Sequence, residues 1–321
     1  MDATMREIGS TGVRVPALGF GTAPLGSLPD TFGYSVAADT AHDAVRAILA
    51  LPDGFIDTSR NYGLGRAETR IGHVVRELGG WPEGRILSTK LDRDMETLRF
   101  DGAQARRSLE ESLAALAVER VDILHLHDPE HAADLAEITA PGGALDQLMR
   151  MKEEGLARAV GLAAGRIEVM MPLLRDWDFD CLITHNRWTL VNRNAGPLIE
   201  LAQARGVAVL NAAPYAGGAL AKGSAHGRYV YQKADAAMLA PVRRVEEICA
   251  RHGVPVGAAA LQASLHDPAV TATICGISRA ERVAQTLAWA RWPIPQDCRD
   301  ALAALPAATD DPEASRVYSP G

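Results

Sequence analysis

Lysine is nearly missing from this chain: Lys90, Lys152, Lys222 and Lys233 are the only lysines among 33 basic residues. Acidic residues outnumber the basic ones at 40, leaving a formal net charge of −7 and no electrostatic footprint for nucleic acid or an anionic membrane. Cysteine is sparse too. Cys181, Cys249, Cys275 and Cys298 lie far apart and form no CxxC, which argues against a disulfide frame or a cysteine zinc site and suits free thiols in a reducing compartment. No apolar run approaches the ~18 residues of a membrane span. The opening MDATMREIGSTG has neither an apolar signal core nor transit-peptide character. Linkers, low-complexity tracts and composition shifts are lacking as well. The expectation is one cytoplasmic domain over residues 1–321, with 47% apolar residues to build a large core.

What is present is an alternation. Short β-rich runs recur at 18–22, 54–59, 85–91, 121–128, 158–164, 181–187, 207–214 and 271–276. Amphipathic stretches such as DTAHDAVRAILAL and AQARRSLEESLAALAVE lie between them. Eight strands, each followed by a helix, predict an α/β fold of the (β/α)8 TIM-barrel type. An open doubly wound sheet is the rival, and it would carry a GxGxxG turn after its first strand. Here GFGTAPLG follows instead. REIGSTGVRV reads as an N-terminal β-hairpin plugging one barrel end, and the Gly-rich segments 23–38 and 215–233 read as candidate lids over the mouth.

Barrel active sites gather at the C-terminal ends of the strands. Asp57 ends the second strand, with Tyr62 in the loop beyond it; Lys90 ends the third and His127 the fourth. Taken singly, each has an ordinary structural explanation, but four such groups at one rim make a proton-transfer set. A phenol titrates near ~10, and a neighbouring ammonium held by a carboxylate is expected to lower that value so that Tyr62 can act as acid or base. His127 would orient a carbonyl oxygen. Asn61, His125, Asp128, His131 and Trp188 fall near the same mouth, a polar mixture with one aromatic face that suits a sugar, although His125 also fits as interior filling. The pair His125 and His127 admits a second reading, a metal-dependent hydrolase completed by Asp57. That reading supplies no third histidine and leaves Lys90 and Tyr62 idle.

These residues carry a resemblance. LGFGTAPLG, FIDTSRNYGLGRAETRIG, LSTKL, RRSLEESLAALAVERVDILHLHDPE and VTATICGISRAERVAQT together resemble the aldo-keto reductase superfamily over nearly the whole chain. The resemblance implies a barrel with NADP, or NAD as the alternative, across its mouth, and a catalytic tetrad of Asp57, Tyr62, Lys90 and His127. It implies a cofactor site along Gly21, Thr22, His185, Ala212, Pro214, Tyr215, Gly217, Gly218 and Gly276. Ser278, Arg279, Arg282 and Gln285 would follow at the last strand–helix junction, where the two arginines suit a 2′-phosphate. Within the superfamily, YGLG with Glu68, HDPE, HNRWTL and VLNAAPYAGGAL are similar to bacterial L-fucose and D-threo-aldose 1-dehydrogenases, which oxidise a sugar at C1 to a lactone. Pyridoxal-oxidising and aldehyde-reducing members share much of this pattern. The chain departs from the family at three places: Ala212 replaces a nicotinamide-stacking aromatic, for which Tyr215 is the nearest substitute; His185 replaces a glutamine; and Gln285-Thr286 replaces a Glu-Asn pair. A non-catalytic subunit that keeps the cofactor as a redox sensor is the third reading. The implied partners are a small sugar or carbonyl compound, with no nucleic acid and no membrane.

Overall fold

The computed structural model describes residues 5–316. Eight parallel strands close into a barrel: β3 (Leu18–Gly21), β4 (Phe55–Asp57), β5 (Ile86–Leu91), β6 (Val121–His127), β7 (Ala157–Ala163), β8 (Cys181–His185), β9 (Ala208–Ala212) and β12 (Ala272–Gly276). β12 pairs with both β9 and β3, so no edge is left open. All eight expected strands form, in the expected order.

Alternation along each strand divides the side chains between two cores. Phe55, Ile86, Ile123, Leu210 and Ile274 point into the barrel, whereas Ile56, Leu87, Leu124 and Val209 face the helical ring. Helices such as Ala38–Leu49, Arg66–Glu77, Gly102–Leu116 and Ala280–Ala290 cover that outer face. Their starts are capped in several places: Asp101 accepts from the Gln104 amide and Asp235 from the Met238 amide.

The N-terminal hairpin is β1 (Arg6–Glu7) against β2 (Arg14–Val15). Its Ile8, Val13 and Val15 are fully buried against the barrel's interior residues. They form the expected plug at the end opposite the strand C-termini, each contributing about 1.5–3 kcal/mol of burial. Arg6 latches it by donating to the carbonyls of Val270, Thr271 and Leu265.

The two long segments meet over the other end. Residues 23–32 form two short helical turns, and residues 216–233 end in the hairpin β10 (Arg228–Tyr229) and β11 (Gln232–Lys233). The Phe32 and Tyr231 rings pack edge to face at 5.6 Å, and Arg228 donates to the Thr31 carbonyl. Among the described residues, no helix is long and apolar enough to cross a membrane.

Candidate active site

Period two puts Asp57, Lys90 and His127 on the inward face of β4, β5 and β6, at or next to their C-terminal ends. Lys90 Nζ donates to Asp57 Oδ2 at 2.8 Å and Oδ1 at 3.0 Å, and to the Thr58 carbonyl at 2.6 Å. Both side chains are buried, with Lys90 1% and Asp57 3% exposed. The same ammonium lies 4.7 Å from the centre of the Tyr62 ring. The Tyr62 ring in turn meets that of His127 edge to face at 5.9 Å. All four line one cavity open to solvent, together with Asn61 and Asp128.

Tyr62 is held in place by close backbone packing. Gly63, at φ +64°, sits so near Gly26 that an added Cβ would lie 2.1 Å from the Gly26 carbonyl oxygen. Only glycine allows both the left-handed turn and this approach. Below the ion pair, Ser88 Oγ donates to Asp57 Oδ1 at 3.0 Å and contacts His125 Nδ1 at 3.3 Å, while His125 Nε2 lies 3.4 Å from Cys181 Sγ. Burial, then the charge of Lys90, drives His125 well below its usual range, so it is neutral filling of the barrel interior. Among the described residues, no group of three or more His, Cys, Asp or Glu side chains is arranged to hold a metal ion.

The expected acidification of Tyr62 is overturned. Burial raises the phenol well above 10, and Asp57, Asp128, Asp92 and Tyr231 add to the rise. The physical reason is that the Lys90 charge is already neutralised by Asp57, while desolvation of the phenol and the charges of Asp57, Asp128 and Asp92 all favour its neutral form. At neutral pH, Tyr62 is therefore a proton donor.

Sequence reasoning missed Asp92. Its Oδ1 lies 2.6 Å from His127 Nδ1, and its Oδ2 accepts from Ser59 Oγ at 2.7 Å and from the Asn61 amide at 2.9 Å. Its position two residues after Lys90 was the available signal, since it continues the inward face of β5. Burial opposes the charge on His127, but Asp128 and Asp92 outweigh it, so the imidazole titrates above 6.5.

The cofactor and substrate residues named from the sequence divide into three groups. Gly21, His185, Ala212 and Gly276 line the cavity with the tetrad. Thr22 is buried just behind, with its amide and hydroxyl both donating to the Asp57 carbonyl. Pro214 is buried, and Gly217 and Gly218 lie in left-handed turns beyond the cavity wall. Two residues are corrected. Trp188 does not face the mouth: its indole donates to Asp267 at 2.8 Å and stacks under Arg193, because the chain turns at Asn186 (φ +59°) after β8. Tyr215 is no platform either, since its ring packs on Trp289 and its hydroxyl contacts Cys275, outside the barrel wall. Besides Tyr62, both Phe32 and Tyr231 reach the cavity, the latter flanked by Arg316 at 5.0 Å.

The site fits a phosphate-bearing dinucleotide. Gly21 and Gly276 are register partners at the rim, so these two adjacent strand ends carry no side chain of their own toward the cavity. Just beyond, burial raises the Tyr34 phenol, and Ser278, Arg282 and Arg279 lie near enough to offset part of that larger rise. Gln285 accepts from Arg282. Lys222, not anticipated, lies 5.1 Å over the Tyr34 ring; burial lowers its pKa, and Arg282, Arg228 and Arg279 add to the effect. Like charges held together in this way are stabilised by an anion.

The family model "Aldo/keto reductase family" matches residues 17–305. The chain belongs to the aldo/keto reductase family. Such enzymes are oxidoreductases that use a nicotinamide dinucleotide. This aldo/keto reductase is 29% identical to a D-threo-aldose 1-dehydrogenase from a Pseudomonas species, covering 92% of this chain and 95% of that protein. It is 28% identical to pyridoxal 4-dehydrogenase of Microbacterium luteolum (91% and 94%) and 29% identical to L-galactose dehydrogenase of Arabidopsis thaliana (88% and 87%). In fold, it matches the holo form of an aldo-keto reductase from Bacillus halodurans with a TM-score of 0.74 at 22% identity, over 98% of this chain and 99% of that one.

Proposed function

We propose that this aldo/keto reductase acts as an NADP-dependent aldose dehydrogenase, oxidising C1 of a neutral sugar of the L-fucose or D-threo-aldose kind to a lactone and running in reverse on carbonyl compounds. One observation carries the reading: Asp57, Lys90, Tyr62 and His127 meet at the floor of one cavity whose wall also holds Asn61 and Asp128. When bound, the nicotinamide supplies or accepts the hydride. Tyr62 exchanges the proton of the C1 hydroxyl. Lys90 and Asp57 fix the base of the cavity, His127 orients the oxygen, and Asp128 accepts a neighbouring sugar hydroxyl. Phe32 and Tyr231 keep water out.

Similarity to D-threo-aldose 1-dehydrogenase and L-galactose dehydrogenase supports the sugar. Pyridoxal is the second reading, supported by the similarity to pyridoxal 4-dehydrogenase and by the aromatic wall of Phe32 and Tyr231. A panel of aldoses, pyridoxal and simple aldehydes with NADP and NAD, followed by nicotinamide absorbance, tests both; turnover of none of them defeats the proposal. Ser278, Arg279, Arg282 and Lys222 support NADP. Lys222→Ala and Arg282→Ala are each expected to weaken NADPH binding about tenfold while leaving NADH within about twofold. Equal losses for both cofactors in a fluorescence titration would remove the phosphate role.

A further inference from the structure

His127 lies between two carboxylates. Its Nδ1 is 2.6 Å from Asp92 Oδ1, and its Nε2 is 3.6 Å from Asp128 Oδ1. Asp92 also accepts from Ser59 Oγ and from the Asn61 amide, so it is ionised and can only accept; the proton of that contact belongs to Nδ1. The other nitrogen faces the second carboxylate. At 3.6 Å that carboxylate is beyond hydrogen-bond reach, but its charge favours a second proton on the ring, so an imidazole flanked by two carboxylates is stabilised as a cation.

The chain holds this arrangement from several sides. The Asp92 amide donates to Ser108 Oγ, and Gln104 Nε2 donates to the Asp92 carbonyl, clamping the residue to the Gly102–Leu116 helix. Asp128 is held at φ +43°, a left-handed conformation that an aspartate tolerates at some cost and that puts its carboxylate beside the ring. The other groups around the ring are Lys90 with its partner Asp57, the neutral His125 beneath, His131 and the Tyr62 phenol. Of these, Lys90 opposes a charge on His127, and the two adjacent carboxylates outweigh it.

We propose that Asp92 is a positioning residue that fixes His127 with Nδ1 turned away from the cavity and Nε2 directed into it, and that with Asp128 it holds the ring as an imidazolium. The inference rests on the hydride-transfer reading above for its consequence. A carbonyl oxygen in the cavity then meets two proton donors, the Tyr62 hydroxyl and a charged Nε2–H, and a charged donor stabilises developing negative charge more strongly than a neutral one.

Two measurements test it. Ring-nitrogen NMR titration, with the signal assigned by its loss in His127→Gln, is expected to show both nitrogens protonated at pH 7. The midpoint is expected to fall by at least about one pH unit in Asp92→Asn and in Asp128→Asn. A neutral ring at pH 7 in the wild type, or an unmoved midpoint in either variant, overturns the proposal. In steady-state reduction, Asp92→Asn is expected to lower kcat by at least about tenfold with KM within about threefold, and to move the alkaline limb of the kcat profile to lower pH. A wild-type profile in a variant that still binds cofactor also overturns it. The titration needs no substrate, so an inactive wild type would defeat the hydride-transfer reading without touching this one. Should Asp92→Asn fail to fold, Asp128→Asn and the wild-type titration still decide.

Discussion

At the scale of single residues, Tyr62 carries the sharpest prediction. Replacing its hydroxyl removes the proton path but little volume, so Tyr62→Phe is expected to lower kcat by about a thousandfold or more while cofactor affinity changes less than about twofold. Steady-state rates and a binding titration check this together, and near-normal turnover would end the mechanism. The raised phenol sets a second expectation. Because burial and its carboxylate neighbours keep Tyr62 protonated at neutral pH, carbonyl reduction has its donor ready, whereas oxidation must first remove that proton. Oxidation rates are therefore expected to climb steadily from pH 7 toward 10, whereas the phenol, still protonated, imposes no matching fall on reduction over the same range. Parallel profiles in the two directions would contradict a single titrating phenol.

At the scale of elements, the helix Gly102–Leu116 shows how local chemistry supports the rim. Asp101 caps its start, and Ser108 and Gln104 on its inner face grip the Asp92 backbone. Its other end is less favourable: Ala117 closes it at φ +59°, ψ +46°, a left-handed cap that glycine adopts without penalty. Ala117→Gly is expected to stabilise the protein by about 0.5–1 kcal/mol, the loss of one half-buried methyl being smaller than the strain relieved. Thermal unfolding measures it, and a lower Tm would show that the methyl contact dominates. The β10–β11 hairpin is strained in the same way, with Val230 at φ +45° and Tyr231 at +66°. There the strain has a use, since it turns the Tyr231 ring into the cavity. The segment from Ala308 to Arg316 closes the same side: Arg187 pairs with Asp311 and Glu313, and Glu313 reaches His185.

At the scale of the whole molecule, one buried acid couples stability to pH. Glu68, fully buried on the helix Arg66–Glu77, accepts from Thr89 on the outer face of β5. Burial pushes its carboxyl up to about 7 despite that bond. The fold prefers the neutral acid, so its contribution is complete below about 4.5 and is lost as pH rises from there to about 7, a total of roughly 3 kcal/mol. Glu68→Gln keeps the contact and removes the titration. Relative to the wild type, this variant is expected to gain stability progressively between pH 5 and 8, by a few kcal/mol on the scale of that linkage. A constant difference in denaturant midpoints across the range would show that Glu68 titrates normally.

The eight strands, their order, the plugging hairpin and the meeting of Asp57, Tyr62, Lys90 and His127 at one rim were all legible in the sequence because they obey local rules. Strand periodicity sets which side chains point inward, barrel closure brings strand ends to one rim, and Asp57, Lys90 and His127 fall on that face by counting alone. What the chain could not announce were relations between distant segments. Asp92 matters only because the register of β5 against β6 sets it beside His127, and Lys222 only because its loop folds over Tyr34 beside Arg279 and Arg282. Trp188 and Tyr215 looked like mouth residues by position but turn outward to Asp267 and Trp289, since a backbone turn after a strand can send a side chain to either side of the wall. The acidity of Tyr62 was decided last of all: one neighbouring ammonium promised to lower it, and burial among three carboxylates raised it, because only the folded shape determines how much water and how much opposing charge remain around a buried group.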